Sequence, residues 1–151
     1  MTEQARLLIV DDDAAVRNSF AAVLRNEGYS VDSAETGNEA INKTKTSFYN
    51  LALIDIRLPD MQGTELLTAI TDTVPPMIKI IVTGYATLEN AVKAVNKGAD
   101  GYLMKPTNMD DLLSIIKQQL KMQQEAASYS QDKLTEFIDS RAKKLDADRD
   151  H

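Results

Sequence analysis

The sequence predicts an α/β domain: a five-stranded parallel sheet, doubly wound by helices on both faces, followed by a C-terminal helical extension. Three observations predict it. Short apolar runs (LLIV, LALI, IKIIV and GYLM) suit strands buried within a covered sheet. Each is followed by a segment whose apolar residues recur at helical spacing. Breakers such as Gly28, Gly98, Pro75, Pro76 and Pro106 fall between the two kinds of segment.

Taken in order, Leu7–Val10 is the first strand, and Val16, Phe20, Val23 and Leu24 mark one face of a helix that stops at Gly28. Tyr29, Val31 and Ser33 alternate with polar residues in the second strand. Thr36 stands three residues before Glu39, a capping-box spacing that starts the second helix. Leu51–Ile54 is the third strand, followed by a loop through Pro59 and a short helix carrying Leu66, Leu67 and Ile70. The fourth is Ile78–Val82, and a helix with Ala91, Val92 and Val95 follows it and stops at Gly98. Gly101–Met104 is the fifth and shortest strand, and Leu112, Leu113, Ile115, Ile116 and Leu120 form the apolar face of the last core helix.

From about Lys121 the chain is polar, helix-prone and free of Gly and Pro. The division is therefore residues 1–122 for the domain and 123–151 for a helical tail or linker with no recognisable output domain. Leu134, Phe137, Ile138 and Leu145 offer a stripe to a partner helix, but Gln123, Ala127 and Ser130 break its heptad register. A solvated linker accounts for the same residues equally well.

Composition removes several function classes. The 151 residues, 43% hydrophobic, suffice for one cored domain of roughly 100–150 residues. A net charge of −6 and a pI near 4.8 argue against general affinity for nucleic acid or an anionic membrane. No apolar run approaches the roughly 18 residues of a membrane span, and MTEQARLLIV has too short an apolar core for a signal peptide. The expectation is a soluble cytoplasmic protein. With no cysteine there is no disulfide, thiol nucleophile or cysteine metal site, and with His151 as the only histidine no histidine chemistry belongs to the core.

The chemistry sits at the strand ends. LLIV runs into Asp11 and Asp12, LALI into Asp55, IKIIV into Thr83 and GYLM into Lys105. Singly these residues have ordinary explanations: a helix cap for Asp11–Asp13, a turn for Thr83, a solvated charge for Lys105. In a doubly wound sheet, however, the strand ends lie side by side and border a crevice. Carboxylates about 5 Å apart repel by roughly 3 kcal/mol per pair at an effective dielectric near 20, and one lysine cannot neutralise three. A hard divalent cation resolves the conflict, and an oxygen-only donor set favours Mg²⁺ or Mn²⁺. Such a cation attracts a phosphoryl group, Thr83 and Lys105 bind its remaining oxygens, and a carboxylate, Asp55, is left as the in-line nucleophile.

The motifs LLIVDDDAAVR, LALIDIRLPDMQG, IIVTGYA and GADGYLMKP resemble, in order and spacing, the CheY-like receiver domain of two-component response regulators across about residues 4–122. The resemblance implies a flavodoxin-like (βα)5 fold and a phosphorylation-activated switch with no separate substrate, and so not an enzyme in the usual sense. By resemblance Asp55 accepts a phosphoryl group from a histidine kinase, a phosphotransfer protein or a small donor such as acetyl phosphate. Asp11, Asp12, Asp55 and the backbone carbonyl of Arg57 would hold the metal, and Thr83 and Lys105 the phosphoryl oxygens. The Lys105–Pro106 bond matches the family's cis peptide. Tyr102 matches the switch aromatic, which turns inward as Thr83 moves. Arg57 and Tyr85 flank the site where the lifetime of the acyl phosphate is tuned, with a bulky Tyr85 expected to slow hydrolysis. The fourth helix, fifth strand and fifth helix, roughly Leu88–Leu120, would form the output surface for an unidentified protein partner or for a homodimer. A competing reading is a haloacid-dehalogenase-type phosphatase with Asp11 as nucleophile and Asp13 as acid. It lacks the usual Gly-Thr, replaced by Ala14 and Ala15, and leaves Asp55 without a role.

Overall fold

Leu7, Leu8, Ile9 and Val10 are each 1% exposed or less, as a strand covered on both faces requires, and the computed structural model places them in β1 (Arg6–Val10). The structure describes residues 4–70 and 72–149, with side chains as far as residue 139. The lone histidine, His151, lies outside the described residues. Strands β2 (Ser30–Ala34), β3 (Leu51–Ile54), β4 (Ile78–Thr83) and β5 (Gly101–Met104) join β1 in one parallel sheet of order β2-β1-β3-β4-β5. Helices α1 (Ala14–Asn26), α2 (Gly37–Thr46), α3 (Gly63–Ala69), α4 (Leu88–Asn96) and α5 (Met109–Arg149) alternate with the strands. This is the doubly wound, flavodoxin-like fold that the sequence predicts, with its C-terminal helix.

Successive residues of the central strands feed opposite layers. Leu8, Val10, Ala52, Ile54 and Ile81 pack with Leu66, Leu67 and Ala94. Leu7, Ile9, Leu53 and Ile80 pack with Phe20, Leu24, Leu112 and Ile116. Strand β2 also divides its side chains, with Val31 in one layer and Ala34 in the other, so the alternation expected from Tyr29, Val31 and Ser33 captures only one face. The register pairs Val10 with Ile54 and Ile54 with Ile81. Asp11 and Asp55, each one residue further on, therefore leave the sheet at the same level.

Local chemistry fixes the helix ends. Asp13 caps α1, its side chain accepting from Ala15 N at 2.9 Å and Val16 N at 3.3 Å. Gly28, with φ +99°, supplies the left-handed turn after it. Thr36 caps α2 by accepting from Glu39 N at 3.0 Å. The reciprocal arm of the capping box shifts by one residue, because Glu39 Oε2 accepts from Glu35 N at 2.9 Å rather than from Thr36.

Helix α4 departs from the expected packing. Ala94 is its one buried residue, while Leu88, Val92 and Val95 are 83%, 52% and 64% exposed. Ala94 lies about 200° around the helix from Val92, so turning the small Ala94 to the sheet for a close approach carries Val92 toward solvent. Helix α5 buries Leu112 and Ile116 and runs without interruption through residue 122, where the sequence suggests a domain boundary. Among the described residues no helix is long and apolar enough to cross a membrane.

Candidate functional site

Asp11 is 3% exposed, Asp55 7% and Thr83 0%, an unusual concentration of buried polar groups at one end of a parallel sheet. The backbone puts them there: Asp55 N donates to Val10 O at 2.9 Å, and Lys105 N donates to Thr83 O at 2.8 Å. Gly63 allows the β3–α3 loop to fold back on the site, since a Cβ at that position would lie 2.1 Å from the Asp55 carbonyl oxygen. The Lys105–Pro106 peptide is cis.

One carboxylate oxygen each from Asp11, Asp12 and Asp55 lies within 4.8 Å of the others. Lys105 Nζ bridges two of them, 2.7 Å from Asp11 Oδ2 and 3.0 Å from Asp55 Oδ2. Burial alone would lower the pKa of this ammonium, but its hydrogen bonds to Asp11 and Asp55, with their charges, outweigh burial and raise it above the ordinary lysine value. Asp11 Oδ1 accepts from Asp13 N at 2.9 Å, and Asp55 Oδ1 faces Arg57 N at 3.4 Å. The acidic triplet thus divides its labour: Asp13 caps α1, and Asp11 and Asp12 line the crevice.

Thr83 Oγ1 accepts from Tyr85 N at 3.0 Å. The Tyr85 ring is stacked under Arg57, with Cζ 3.5 Å from the ring centroid, so these two flanking residues form one unit at the mouth of the site. Tyr102 packs against the core layer that contains Ile81 and Ala94, and its hydroxyl is buried with no hydrogen-bond partner among the described residues. An unpaired buried hydroxyl is destabilising, so Tyr102→Phe is expected to stabilise the unmodified protein by about 1 kcal/mol in urea unfolding. A loss of stability would place a partner on that hydroxyl.

Two residues absent from the sequence expectations also reach the site's scaffold. Arg17 Nη1 donates to the backbone oxygen of Asp11 at 2.7 Å, and Nη2 to Glu35 Oε1 at 3.2 Å. A cation near the start of a helix is electrostatically misplaced, and that was its only signal in the sequence. Asp60, in the loop after β3, accepts from Gly37 N and Asn38 N, each at 2.9 Å. The bond from Asn38, and then that from Gly37, hold its carboxyl below the usual carboxylate range. A depressed pKa contributes stability above the unfolded value of about 3.9, and that contribution disappears as pH falls through the lower folded value. The melting temperature of Asp60→Ala is therefore expected to fall below that of the parent at pH 7, with the two curves converging in acid.

The family model described as "Response regulator receiver domain" matches residues 7–117. Among curated relatives, an acid tolerance regulatory protein, ActR, of Rhizobium meliloti is 40% identical over 112 residues, which are 74% of this chain and 58% of the relative. An alginate biosynthesis transcriptional regulatory protein, AlgB, of Pseudomonas putida is 34% identical over 124 residues, 82% of this chain and 28% of the relative. The chain thus spans between about a quarter and three fifths of the length of these relatives. Among solved structures, a CheY-like receiver domain protein from Methanospirillum hungatei is 51% identical with a TM-score of 0.79, covering 82% of this chain and 99% of that one. The beryllofluoride-activated NtrC4 receiver domain dimer is 35% identical with a TM-score of 0.73, covering 78% of this chain and 98% of that one. None of these is a haloacid-dehalogenase-type phosphatase, and Asp13, the acid of that reading, is committed to the α1 cap.

Proposed function

We propose that this chain, which belongs to the response regulator receiver domain family, throws its phosphorylation switch by capture of a phosphoryl group on Asp55. The observation that carries this assignment is the Lys105 bridge between Asp11 and Asp55, with Asp12 alongside. The oxygen-only donor set fits Mg²⁺ or Mn²⁺, held by Asp11, Asp12, Asp55 and the Arg57 carbonyl. When bound, the ion neutralises carboxylate and phosphoryl charge.

The chain's own residues do the rest. An Asp55 carboxylate oxygen attacks phosphorus in line, the new O–P bond forming as the P–N bond of a phosphohistidine, or the P–O bond of acetyl phosphate, breaks. The leaving group keeps the bonding electron pair. Lys105 turns its ammonium to one phosphoryl oxygen, and Thr83 donates its hydroxyl proton to another. Thr83 then withdraws from Tyr85 N, which couples the event to the Arg57–Tyr85 stack. The added charge of about −1.5 to −2 biases the switch, and complete reversal of a two-state surface requires about 5.5 kcal/mol. Leu88, Val92 and Val95 on α4 and Met104 on β5 are exposed apolar side chains, and they belong to the output face in this reading. A histidine kinase or phosphotransfer protein supplies the phosphoryl group, and a downstream protein or a second copy reads the face.

The test is a mass-spectrometric search for the modified residue after incubation with acetyl phosphate and Mg²⁺. The group is expected on the peptide that carries Asp55; modification elsewhere, or none, defeats the assignment. The stack supplies a second measurement. Exposed cation–π contacts contribute roughly 0.5–1 kcal/mol, so Tyr85→Ala and Arg57→Asn should each speed decay of the acyl phosphate several-fold, with less than additive effects in the double variant. Unchanged decay in both single variants would remove the shielding role.

A further inference from the structure

Neither the second strand nor the second helix contributes a ligand to the acidic site, yet the N-terminus of α2 is bonded to both loops that do. On one side Arg17, its side chain only 12% exposed, ties the Asp11 backbone oxygen to Glu35, the residue that follows β2. Glu35 N donates in turn to Glu39 in the first turn of α2. On the other side the two carboxylate oxygens of Asp60 take up the N–H groups of Gly37 and Asn38. From Asp60 the chain closes back on the nucleophile, since Leu58 N donates to Met61 O at 3.2 Å and Gly63 N to Ile56 O at 2.6 Å. The Asp11 loop, the start of α2 and the Asp55 loop thus form one hydrogen-bonded span.

We infer that Arg17 and Asp60 are positioning residues that act through the N-terminus of α2 to hold the Asp11 and Asp55 carboxylates at the separation a divalent cation needs. The reason is electrostatic. Asp11 and Asp55 repel each other, and a single lysine shared between them offsets the repulsion only in part. Carboxylates on independent loops would relax apart, whereas loops fixed to a common helix end stay in place before the cation arrives. Both tethers anchor to the same five-residue stretch, Glu35–Glu39, so cutting either one releases the span. Arg17→Met and Asp60→Ala should therefore have overlapping consequences, although no bond joins the two side chains directly.

The inference rests on the dication reading of the acidic trio, and the experiment separates the two. Mg²⁺ is titrated calorimetrically into the full chain, Arg17→Met, Asp60→Ala and the double variant, well below their melting temperatures. Each single variant should raise Kd on the order of tenfold, the double variant should raise it little further, and Asp60→Asn, which keeps one acceptor, should recover part of the loss. Equal Kd values across the series, or effects that simply add, overturn the span while leaving the metal reading intact. Amide exchange without metal tests the span even if no Mg²⁺ binds. Arg17→Met should speed exchange at Gly63 several-fold, and Asp60→Ala should do so at Asp13, each across the bridge from the substitution. Changes confined to the substituted loop overturn the inference.

Discussion

The Asp55→Asn protein is expected to incorporate no phosphoryl group from acetyl phosphate, while Asp11→Asn and Asp12→Asn label slowly and still on Asp55. An amide has no anionic oxygen to form a stable acyl phosphate, so the loss at position 55 is complete. At position 11 or 12 the nucleophile survives and only the cation's surroundings are weakened. Losing a direct ligand should cost at least the roughly 10- to 100-fold that loss of an outer partner typically costs a metal site. Asp11→Asn carries a further penalty, because Lys105 then has one carboxylate instead of two, and the single amide oxygen can accept from Asp13 N or from Lys105 Nζ but not from both as the two carboxylate oxygens do. The three variants should therefore rank Asp12 above Asp11 above Asp55 in residual labelling, followed with a radioactive donor. Asp12 is the exposed member of the trio, which places it first. Labelling that survives in Asp55→Asn and vanishes in Asp11→Asn would restore the phosphatase reading.

The parts of this site that were legible in the sequence are those fixed by strand register. Asp11, Asp55, Thr83 and Lys105 each sit where an apolar run ends, and a parallel sheet brings run ends together whatever the loops do. What escaped depends on where loops point. Asp60 looks like a turn residue beside Pro59, and only the tertiary path of the β3–α3 loop lays its carboxylate on α2. Arg17 has a polar partner 18 residues away that no period reveals. Helix α4 escaped for another reason: Val92 and Val95 carry the hydrophobicity, so periodicity reads them as the core face, while packing selects the small Ala94. That inversion is informative, since an apolar helix face turned to solvent beside β5 is what a docking surface looks like from within the fold. The alternation in β2 underestimates burial similarly, as both faces of this edge strand are covered.

Lys105→Met is expected to move two measurements in opposite directions, with tighter Mg²⁺ binding and slower phosphoryl capture. In the unmodified site the lysine Nζ occupies the space between Asp11 Oδ2 and Asp55 Oδ2, at 2.7 Å and 3.0 Å, and serves as a resident monocation. A dication arriving about 4 Å from that ammonium at an effective dielectric near 20 meets a repulsion of roughly 8 kcal/mol. Most of it is relieved as the flexible side chain swings outward, because Lys105 is partly exposed and water screens what remains. A residue of about 1.4 kcal/mol is enough for a tenfold change, so the methionine variant should lower the Kd for Mg²⁺ about tenfold in calorimetry. Methionine preserves the length of the stem and leaves the two carboxylates without their internal counter-ion, which makes the vacated site more attractive to a cation. The same substitution removes the ammonium that meets a developing phosphoryl charge, and loss of one such donor typically slows a reaction by about 10²–10³-fold. A lysine that merely held the fold together would weaken both properties or neither. Divergence of the two therefore reports a side chain that competes with the metal in the resting site and cooperates with it once phosphorus is bound, and parallel loss of both would remove that dual role.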